Sequence, residues 1–212
     1  MTSDATKAHW DGVYARRALD AVSWYQAEPR KSLELIRASG AEPDAAIIDV
    51  GGGASFLVDE LLSQGYRDLT VLDISSEVLS KLRDRLGPKA EHVTLLQADV
   101  TELRPTRRYA LWHDRAVFHF LVDRDDRARY VDVLKQALAV GGHLIIATFG
   151  PEGPERCSGL PVQRYSAESL VQTLGADFTL VESFIDVHRT PAGSPQQFLF
   201  CRFRYAPIAP TS

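Results

Sequence analysis

Three acidic residues and a run of glycines stand at the ends of apolar, strand-like segments. Asp49 precedes Gly51–Gly53 in IIDVGGGASF, Asp73 lies near the end of LTVLDI, and Asp99 near the end of LLQADV. Asp73 follows Gly53 by 20 residues, and an acid at that spacing can accept hydrogen bonds from both hydroxyls of a ribose. An acid at the next strand end can accept one from an exocyclic adenine amino group. We therefore expect a nucleoside site, although each acid could instead cap the turn that follows it.

The glycine run lacks the features that bind phosphates. Phe56 stands where the dinucleotide pattern G-x-G-x-x-G, started at Gly51, needs its last glycine, and the phosphate-loop pattern G-x-x-x-x-G-K-[ST] is absent. A bulky side chain there would obstruct a pyrophosphate at the helix start. Three carboxylates suit a nucleoside that carries positive charge. Phe56, together with the two strand patterns at the end of the chain, argues against an NAD-linked dehydrogenase.

Strand-like and helix-like patterns alternate around these residues. Apolar runs predict strands at 45–50, 68–74, 93–100, 109–114 and 143–149. Amphipathic patterns predict helices at 54–65, 75–87, 124–142 (closed by paired glycines) and 166–175. Two further strand patterns, 178–189 and 196–205, have no helix between them and should pair as an antiparallel hairpin. This order predicts an α/β fold with a doubly wound, mostly parallel sheet.

The segments IIDVGGGAS, LTVLDIS, LLQADV and LAVGGHLIIATF resemble successive motifs of class I S-adenosylmethionine-dependent methyltransferases. The likeness is to small, single-domain, bacterial-type members and covers about residues 45–149. It implies S-adenosyl-L-methionine as cofactor, S-adenosyl-L-homocysteine as product, and a seven-stranded, Rossmann-like sheet whose seventh strand is antiparallel. Ser55 and Val140 depart from residues that are often glycine and proline in the family.

The resemblance also implies which residues contact the cofactor. Asp49 and the glycines would border the methionine moiety, Asp73 would hold the ribose, and Asp99 with Val100 would hold the adenine. The full set of expected cofactor-binding residues is Asp49, Gly51, Gly52, Gly53, Asp73, Ile74, Asp99, Val100, His113 and Tyr14.

Two predicted helices, roughly 4–18 and 29–39, precede the alternating region. By the resemblance, we expect residues 1–40 to form a helical lid over a catalytic core of residues 41–212, the two together making one domain. Aromatic residues in the lid could face the cofactor sulfonium or the substrate, or could hold the helix on the domain. The substrate-pocket candidates in the lid and in the Gly/Pro-rich loop 150–165 are Trp10, Trp24, Tyr25, Cys157 and Arg164.

Methyl transfer from a sulfonium is an in-line displacement that depends on alignment, and it needs a base only if the nucleophile arrives protonated. The catalytic candidates lie in WHDRAVFHFL, after the fourth strand. Asp114 could contact the cofactor's amino group or the substrate, or could pair with Arg115. His119 could be a base or a substrate ligand, or could be a packed histidine bonded to the backbone.

The motifs leave the methyl acceptor open. The first hypothesis is transfer to an O, N or S atom of a small molecule. The alternative is a protein-lysine methyltransferase, because HDRAVFHFL resembles the segment after strand four in eukaryotic elongation-factor lysine methyltransferases. A third, less favoured hypothesis is a non-catalytic cofactor-binding module.

Composition limits the partners. The chain has 212 residues, a net charge of −4 and two cysteines, which argues against a nucleic-acid binder with a basic surface and against a disulfide scaffold. We find neither an apolar signal-peptide segment nor an apolar run near the ~18 residues of a membrane span. No His or Cys spacing typical of metal sites occurs. We therefore expect a cytoplasmic, metal-free monomer or weak homodimer that binds neither membranes nor nucleic acid.

Overall fold

A computed structural model describes residues 2–208; residues 1 and 209–212 of the predicted single domain lie outside the described part. The helices are α1 (Ser3–Arg16), α2 (Arg30–Ala38), α3 (Leu57–Ser63), α4 (Ser76–Leu86), α5 (Arg124–Ala137) and α6 (Ala167–Leu174). The strands are β1 (Ile47–Val50), β2 (Leu69–Asp73), β3 (Val93–Gln97), β4 (Tyr109–Arg115), β5 (Leu138–Phe149), β6 (Arg156–Cys157), β7 (Leu160–Pro161), β8 (Phe178–Arg189) and β9 (Pro195–Tyr205). Among these helices, none has the length and apolar character to cross a bilayer.

Seven strands form one sheet in the order β3-β2-β1-β4-β5-β9-β8, and β6 pairs with β7 in a separate ribbon. Strands β1 to β5 pair in parallel, whereas β9 runs antiparallel to both β5 and β8. The predicted doubly wound, mostly parallel, seven-stranded sheet with a C-terminal antiparallel hairpin is therefore confirmed. Strand order reverses between β1 and β4, and a crevice at such a point is where this architecture binds ligands.

Both faces of the central strands are covered, which explains their continuous apolar sequence. Ile47 and Ile48 are successive residues of β1, are each buried, and belong to apolar clusters on opposite faces of the sheet. Leu111 and Trp112 of β4 divide between the two faces in the same way. The sheet is thus a rigid middle layer whose strand ends carry the candidate site.

The paired glycines do not close α5, contrary to the prediction. The helix ends at Ala137, and Gly141 and Gly142 lie inside β5, where the pairing with β4 shifts register between Tyr109 and Leu111. A Cβ at Gly142 would lie 2.8 Å from the Ala139 carbonyl oxygen. The glycines therefore form a bulge in which two backbone segments approach closely. In the sequence alone, a glycine pair in a bulge looks the same as a glycine pair that ends a helix.

A buried hydrogen-bond network connects β4 to α5. Asp114 accepts hydrogen bonds from the Val117 N–H at 2.9 Å, the Phe118 N–H at 3.1 Å and the Tyr130 hydroxyl at 2.7 Å. The Tyr130 hydroxyl accepts one from the Trp112 indole at 2.9 Å. Burial raises the pKa of Asp114 to about 6, although these donors oppose the rise. The network holds the turn that follows β4.

Tyr130→Phe should destabilise the fold by about 1–3 kcal/mol, because it leaves the Trp112 N–H without an acceptor and removes a donor from Asp114. Tyr165→Phe is the matched control, since both rings pack on Phe118, but the buried Tyr165 hydroxyl has no partner within residues 2–208. The control should be neutral or slightly stabilising. Urea unfolding measures both variants, and equal losses would contradict the assigned network.

Candidate functional site

A cavity of about 660 Å³ opens at the carboxyl ends of the parallel strands, against the N-terminal segment. Its volume is typical of sites for small ligands, ~300–1,000 Å³. The predicted site residues that line it are Trp10, Tyr14, Trp24, Gly51, Asp73, Ile74, Asp99, Val100 and Cys157. The cavity therefore brings together residues from five separate parts of the chain.

The other predicted residues do not line this cavity. Tyr25 packs edge-on against Phe56 beside a different, shallow depression, and Arg164 pairs with Glu155 near the surface. Both were expected in the substrate pocket, and their placement corrects that expectation. The remaining residues outside the cavity wall are Asp49, Gly52, Gly53, His113, Asp114 and His119.

The turn after β1 consists of glycines because other protein atoms occupy the space that a Cβ would need at each of the three positions. A Cβ at Gly51, which has φ +69°, would lie 2.2 Å from Val117 Cγ2. A Cβ at Gly52 would lie 2.2 Å from Asp49 Oδ2. Of the three glycines, Gly51 alone lines the cavity, so Gly52 and Gly53 serve the packing of the turn itself.

Asp49 is held by a buried relay that reaches into α2. His113 Nδ1 lies 2.7 Å from Asp49 Oδ1, and His113 Nε2 lies 2.9 Å from the Ser32 hydroxyl oxygen. All three residues are buried. His113 therefore positions Asp49 instead of facing the cavity, and no sequence motif pointed to Ser32. Asp49 Oδ2 has no partner within residues 2–208 and remains a free acceptor beneath the glycine turn.

Asp73 joins the turn to the cavity wall. It accepts hydrogen bonds from the Ser75 N–H at 2.9 Å and the Gly53 N–H at 3.3 Å. Burial raises the pKa of Asp73 to about 6, Asp49 and Asp11 raise it further, and the two N–H donors lower it. A carboxylate in this position is poorly solvated and gains from a ligand that donates hydrogen bonds to it.

Asp99 combines the two roles that the sequence left open. One carboxylate oxygen accepts hydrogen bonds from the Thr101 N–H at 2.9 Å and the Thr101 hydroxyl at 2.8 Å, so the side chain caps the turn after β3. The residue also lines the cavity beside Val100. A capping role and a ligand-facing role are therefore compatible at this position.

Aromatic side chains from the N-terminal segment form one wall of the cavity. Trp10 packs edge-on against Trp24 and Phe120, with ring centroids 5.7 Å and 5.1 Å apart, and Tyr14 packs against Trp24 at 6.2 Å. These residues contact one another and also line the cavity. They combine the two roles proposed for them, holding the helix and facing a ligand.

Helix α1 is attached to the start of α4 by polar contacts. Asp11 accepts hydrogen bonds from the Ser75 hydroxyl at 2.6 Å and the Glu77 N–H at 3.3 Å. Lys81 donates to the Tyr14 carbonyl at 2.5 Å. A carboxylate at a helix N-terminus is stabilised by the free N–H groups there. The aromatic wall thus rests on a small number of contacts between two helices.

Neither catalytic candidate reaches the cavity. His119 is fully buried, and its Nδ1 accepts a hydrogen bond from the Phe149 N–H at 3.2 Å. Burial and the charge of Arg115 lower the pKa of His119 to about 3, so the ring is neutral and unsuited to act as a base near neutral pH. Asp114 is enclosed by the network with Tyr130. Their placement supports structural roles, as a packed histidine and a turn anchor.

Residues beyond the predicted set also line the cavity, among them Arg115, Phe120 and Leu160. Arg115 follows Asp114 in β4, and successive strand residues point to opposite faces. The pairing of Asp114 with Arg115 that was considered is therefore wrong. Cys157 lines the same cavity. Burial raises the pKa of its thiol to about 11, so the sulfur is protonated at neutral pH.

Comparison with known proteins agrees with these motifs. A family model described as a methyltransferase domain matches residues 47–142. The chain is 26% identical over 148 residues to an eEF1A lysine and N-terminal methyltransferase of Danio rerio. The aligned region makes up 68% of this chain and 21% of that protein. The chain therefore spans about a fifth of the length of the curated relatives it matches.

Solved structures share the fold. One of them concerns the conversion of a disulfide bond into a thioacetal group during echinomycin biosynthesis. Its TM-score is 0.77 at 19% identity, and the match covers 95% of this chain and 93% of that one. A second is the 1,6-didemethyltoxoflavin-N1-methyltransferase of Burkholderia thailandensis with bound S-adenosylhomocysteine. Its TM-score is 0.68 at 23% identity, covering 97% and 87%. These findings show that residues 47–142 match a methyltransferase domain and that the chain has the fold of these solved structures.

Proposed function

We propose that the chain binds S-adenosylmethionine in the cavity and transfers its methyl group to a small molecule, leaving S-adenosylhomocysteine. The observation that carries the proposal is the convergence of Gly51, Asp73 and Asp99 on one cavity at the point where strand order reverses. Acceptors of hydrogen bonds at these positions match a cationic nucleoside, and aromatic rings cover the opposite side.

The residues present fit this cofactor. Under the proposal, Asp73 accepts from the ribose hydroxyls, and Asp99 with Val100 and Ile74 borders the adenine. Gly51, the one glycine of the turn that lines the cavity, borders the methionine moiety. When bound, the cofactor supplies a methyl group already activated by a positive sulfur.

The chain's own contribution is orientation and the exclusion of water. Trp10, Trp24 and Phe120 form an apolar wall, and His119 and Asp114 do not reach the cavity. Holding a nucleophile in line at near-attack distance lowers the free-energy barrier of the reaction by several kcal/mol, up to ~7–11 in ideal systems. This mode of catalysis suits an acceptor whose nucleophilic atom is already deprotonated.

Methyl transfer can be tested with radiolabelled S-adenosylmethionine and a cell lysate that is afterwards split into protein and metabolite fractions. We expect label in the metabolite fraction. Asp73→Asn should reduce incorporation at least tenfold, because the amide is a weaker acceptor for two hydroxyls. Label confined to a protein band would contradict the small-molecule proposal, and no incorporation in either fraction would contradict methyl transfer altogether.

Transfer to a protein lysine is the second candidate. Curated relatives are named as eEF1A lysine and N-terminal methyltransferases. The cavity is also lined by the exposed acids Glu102 and Asp123, whose negative charge would attract a cationic amine. The fractionation above distinguishes the two acceptors.

The pH dependence of cofactor affinity follows from Asp73. Its pKa of about 6 is above the ordinary value, so the carboxylate becomes protonated as pH falls through 6 and loses its ability to accept from both hydroxyls. The affinity for S-adenosylhomocysteine should be constant above about pH 7 and should fall toward tenfold per pH unit below 6.

Calorimetric titration between pH 5 and 8 measures this dependence. Asp73→Asn is the control, because its side chain does not titrate and its weaker affinity should vary little over the same range. Wild-type affinity that stays constant down to pH 5 would contradict the role of Asp73.

We further propose that residues 1–40 act as a lid on a core of residues 41–212 within one domain, with α1 closing over the cofactor. The contacts of Asp11 with the start of α4 and the aromatic wall support this arrangement. Because few polar contacts attach the helix, its opening can admit the cofactor without unfolding the sheet.

Asp11→Ala should loosen the lid, because it removes acceptors for the Ser75 hydroxyl and the Glu77 N–H. We expect faster amide hydrogen exchange across α1 and S-adenosylhomocysteine binding weaker by about 5- to 10-fold, in line with the loss of about 1 kcal/mol. Asp4→Ala is the matched control, since Asp4 is an exposed acid in the same helix. Exchange and affinity that change equally in both variants would argue against the lid.

A further inference from the structure

The order of the strands gives the cavity two sides. Asp73 ends β2 and Asp99 follows β3, so the acids that we assign to the cofactor lie on one side of β1. Phe120 comes shortly after β4, on the other side of β1. Six residues line the cavity on this second side or on segments packed against it, and we call them the acceptor wall: Trp10, Trp24, Phe120, Cys157, Leu160 and Pro161.

Contacts between three parts of the chain hold the acceptor wall together. Trp10 packs edge-on against Trp24 and Phe120, with ring centroids 5.7 Å and 5.1 Å apart. The ribbon of β6 and β7 carries the other three residues of the wall, and the Gln163 N–H just after the ribbon donates to the His119 carbonyl at 2.8 Å. Because His119 directly precedes Phe120, the ribbon is fixed beside the rings. A molecule on this wall lies next to the cofactor side of the same cavity.

The acceptor wall consists of aromatic and aliphatic side chains and one thiol. Burial raises the pKa of Cys157 to about 11, although a hydrogen bond with Ser23 and the charge of Arg115 oppose the rise. Burial also raises the pKa of Tyr14, which lines the cavity and packs against Trp24, well above its usual value. Both groups keep their protons at neutral pH and cannot accept another from an acceptor. The wall therefore favours a nucleophile that loses its proton to water.

A positive charge lies beside the acceptor wall. Arg115 ends β4, its Nη1 donates to the Trp24 carbonyl at 2.9 Å, and its Cζ lies 4.5 Å from the centroid of the Phe198 ring. Arg115 forms no ion pair within residues 2–208, and burial lowers its pKa only to about 10. Its charge opposes the burial that raises the pKa of Cys157 and adds to the burial that lowers the pKa of His119. Through space, this charge favours an anionic nucleophile over a cationic one.

We propose that the methyl acceptor is a small, apolar thiol that packs its organic group against the acceptor wall and reacts as the thiolate. A thiol ionises with a pKa of about 8.5, below the values of about 10 for a phenol and about 10.4 for an alkyl amine. It therefore needs no base from the protein. Sulfur is also polarisable and makes favourable contacts with aromatic rings. This inference rests on the proposed function and names the substrate class of the same site.

The transfer balances in atoms and in charge. The thiol gives its proton to water before the displacement. The thiolate sulfur then forms a bond to the methyl carbon while the bond from that carbon to the sulfonium sulfur breaks, and the electron pair of the broken bond stays on the cofactor sulfur. A cation and an anion thus become two neutral thioethers, a change that suits apolar surroundings.

Three probes with the same ring test the acceptor atom: thiophenol, phenol and aniline. Each is titrated calorimetrically at pH 8 into protein saturated with S-adenosylhomocysteine, and each is incubated with S-adenosylmethionine while methylated product is measured by mass spectrometry. We expect thiophenol to bind about tenfold or more tightly than the others and to react with a kcat/KM higher by at least as much. Equal binding of the three probes, faster methylation of phenol or aniline, or no methylation of thiophenol would overturn the proposal.

A second thiol shows whether the protein takes the proton. Phenylmethanethiol is a weaker acid than thiophenol, because its sulfur is not attached to the ring. At saturating cofactor, kcat/KM for each thiol should rise between pH 5 and 10 to a plateau. The midpoint should lie at higher pH for phenylmethanethiol, since it follows the ionisation of the acceptor itself. The same midpoint for both thiols would show that a group of the protein accepts the proton, contrary to the proposal.

Two variants at one position assign the preference to the acceptor wall. Phe120→Gln removes the ring, and Phe120→Glu has nearly the same shape as Phe120→Gln but adds a carboxylate. At pH 8, we expect kcat/KM for thiophenol to be about tenfold or more lower in Phe120→Glu than in Phe120→Gln, because like charges repel. S-adenosylhomocysteine should bind both variants alike, which also shows that they are folded. Ile185→Glu, at an exposed position of the edge strand β8, is the control and should match the wild-type rate. Equal rates in the two Phe120 variants, or a loss in Ile185→Glu, would contradict the assignment.

Cofactor binding separates this inference from the function on which it rests. Protein that binds S-adenosylmethionine and labels lysate metabolites but methylates neither thiol would overturn the thiol class alone. Wild-type protein that binds neither S-adenosylmethionine nor S-adenosylhomocysteine would refute the proposed function, and this inference with it.

Discussion

The close packing around the turn after β1 is the constraint on which the site depends. Val117 Cγ2 and Asp49 Oδ2 occupy the space where side chains at Gly51 and Gly52 would begin, so that turn cannot accept a Cβ. The Gly53 N–H then reaches Asp73, and the Gly51 N–H bonds to the Leu72 carbonyl. Through these contacts the ends of β1, β2 and β4 are held at fixed separations, and Gly51, Asp73 and Val117 line one cavity.

Charge is distributed unevenly around that cavity. The buried Asp73 and the partly buried Asp99 line it at the ends of β2 and β3, whereas the guanidinium of Arg115 lies over Phe198 of β9. Aromatic rings of the N-terminal segment line the same cavity. Hydrogen bonds are stronger in such a weakly polar environment, and unpaired groups are more costly there. A buried acid such as Asp73 therefore gains from a ligand that donates hydrogen bonds to it.

The segment after β4 shows how residues of catalytic type can serve the fold. Asp114 and Tyr130 hold the turn, His119 bonds to the backbone of β5, and Ala116 adopts a positive φ of 73°, which directs Val117 onto Gly51. Alanine in that conformation is mildly strained. The network with α5 offsets the strain, so this loop is rigid although it borders the cavity.

The sequence by itself determined the fold class and half of the site, because these depend on local pattern. Apolar runs and helical patterns marked the strands and helices, and the positions of Asp73 and Asp99 placed both at strand ends that meet at one edge of the sheet. Only the tertiary structure decided which way the other side chains face. His113 turns to Ser32 and Asp49, Arg115 extends to Phe198, and Gly142 forms a bulge because β5 passes close to β4. Such partners are far apart in the chain, and a missing partner, as at Arg115, becomes visible only when every neighbouring atom has its place.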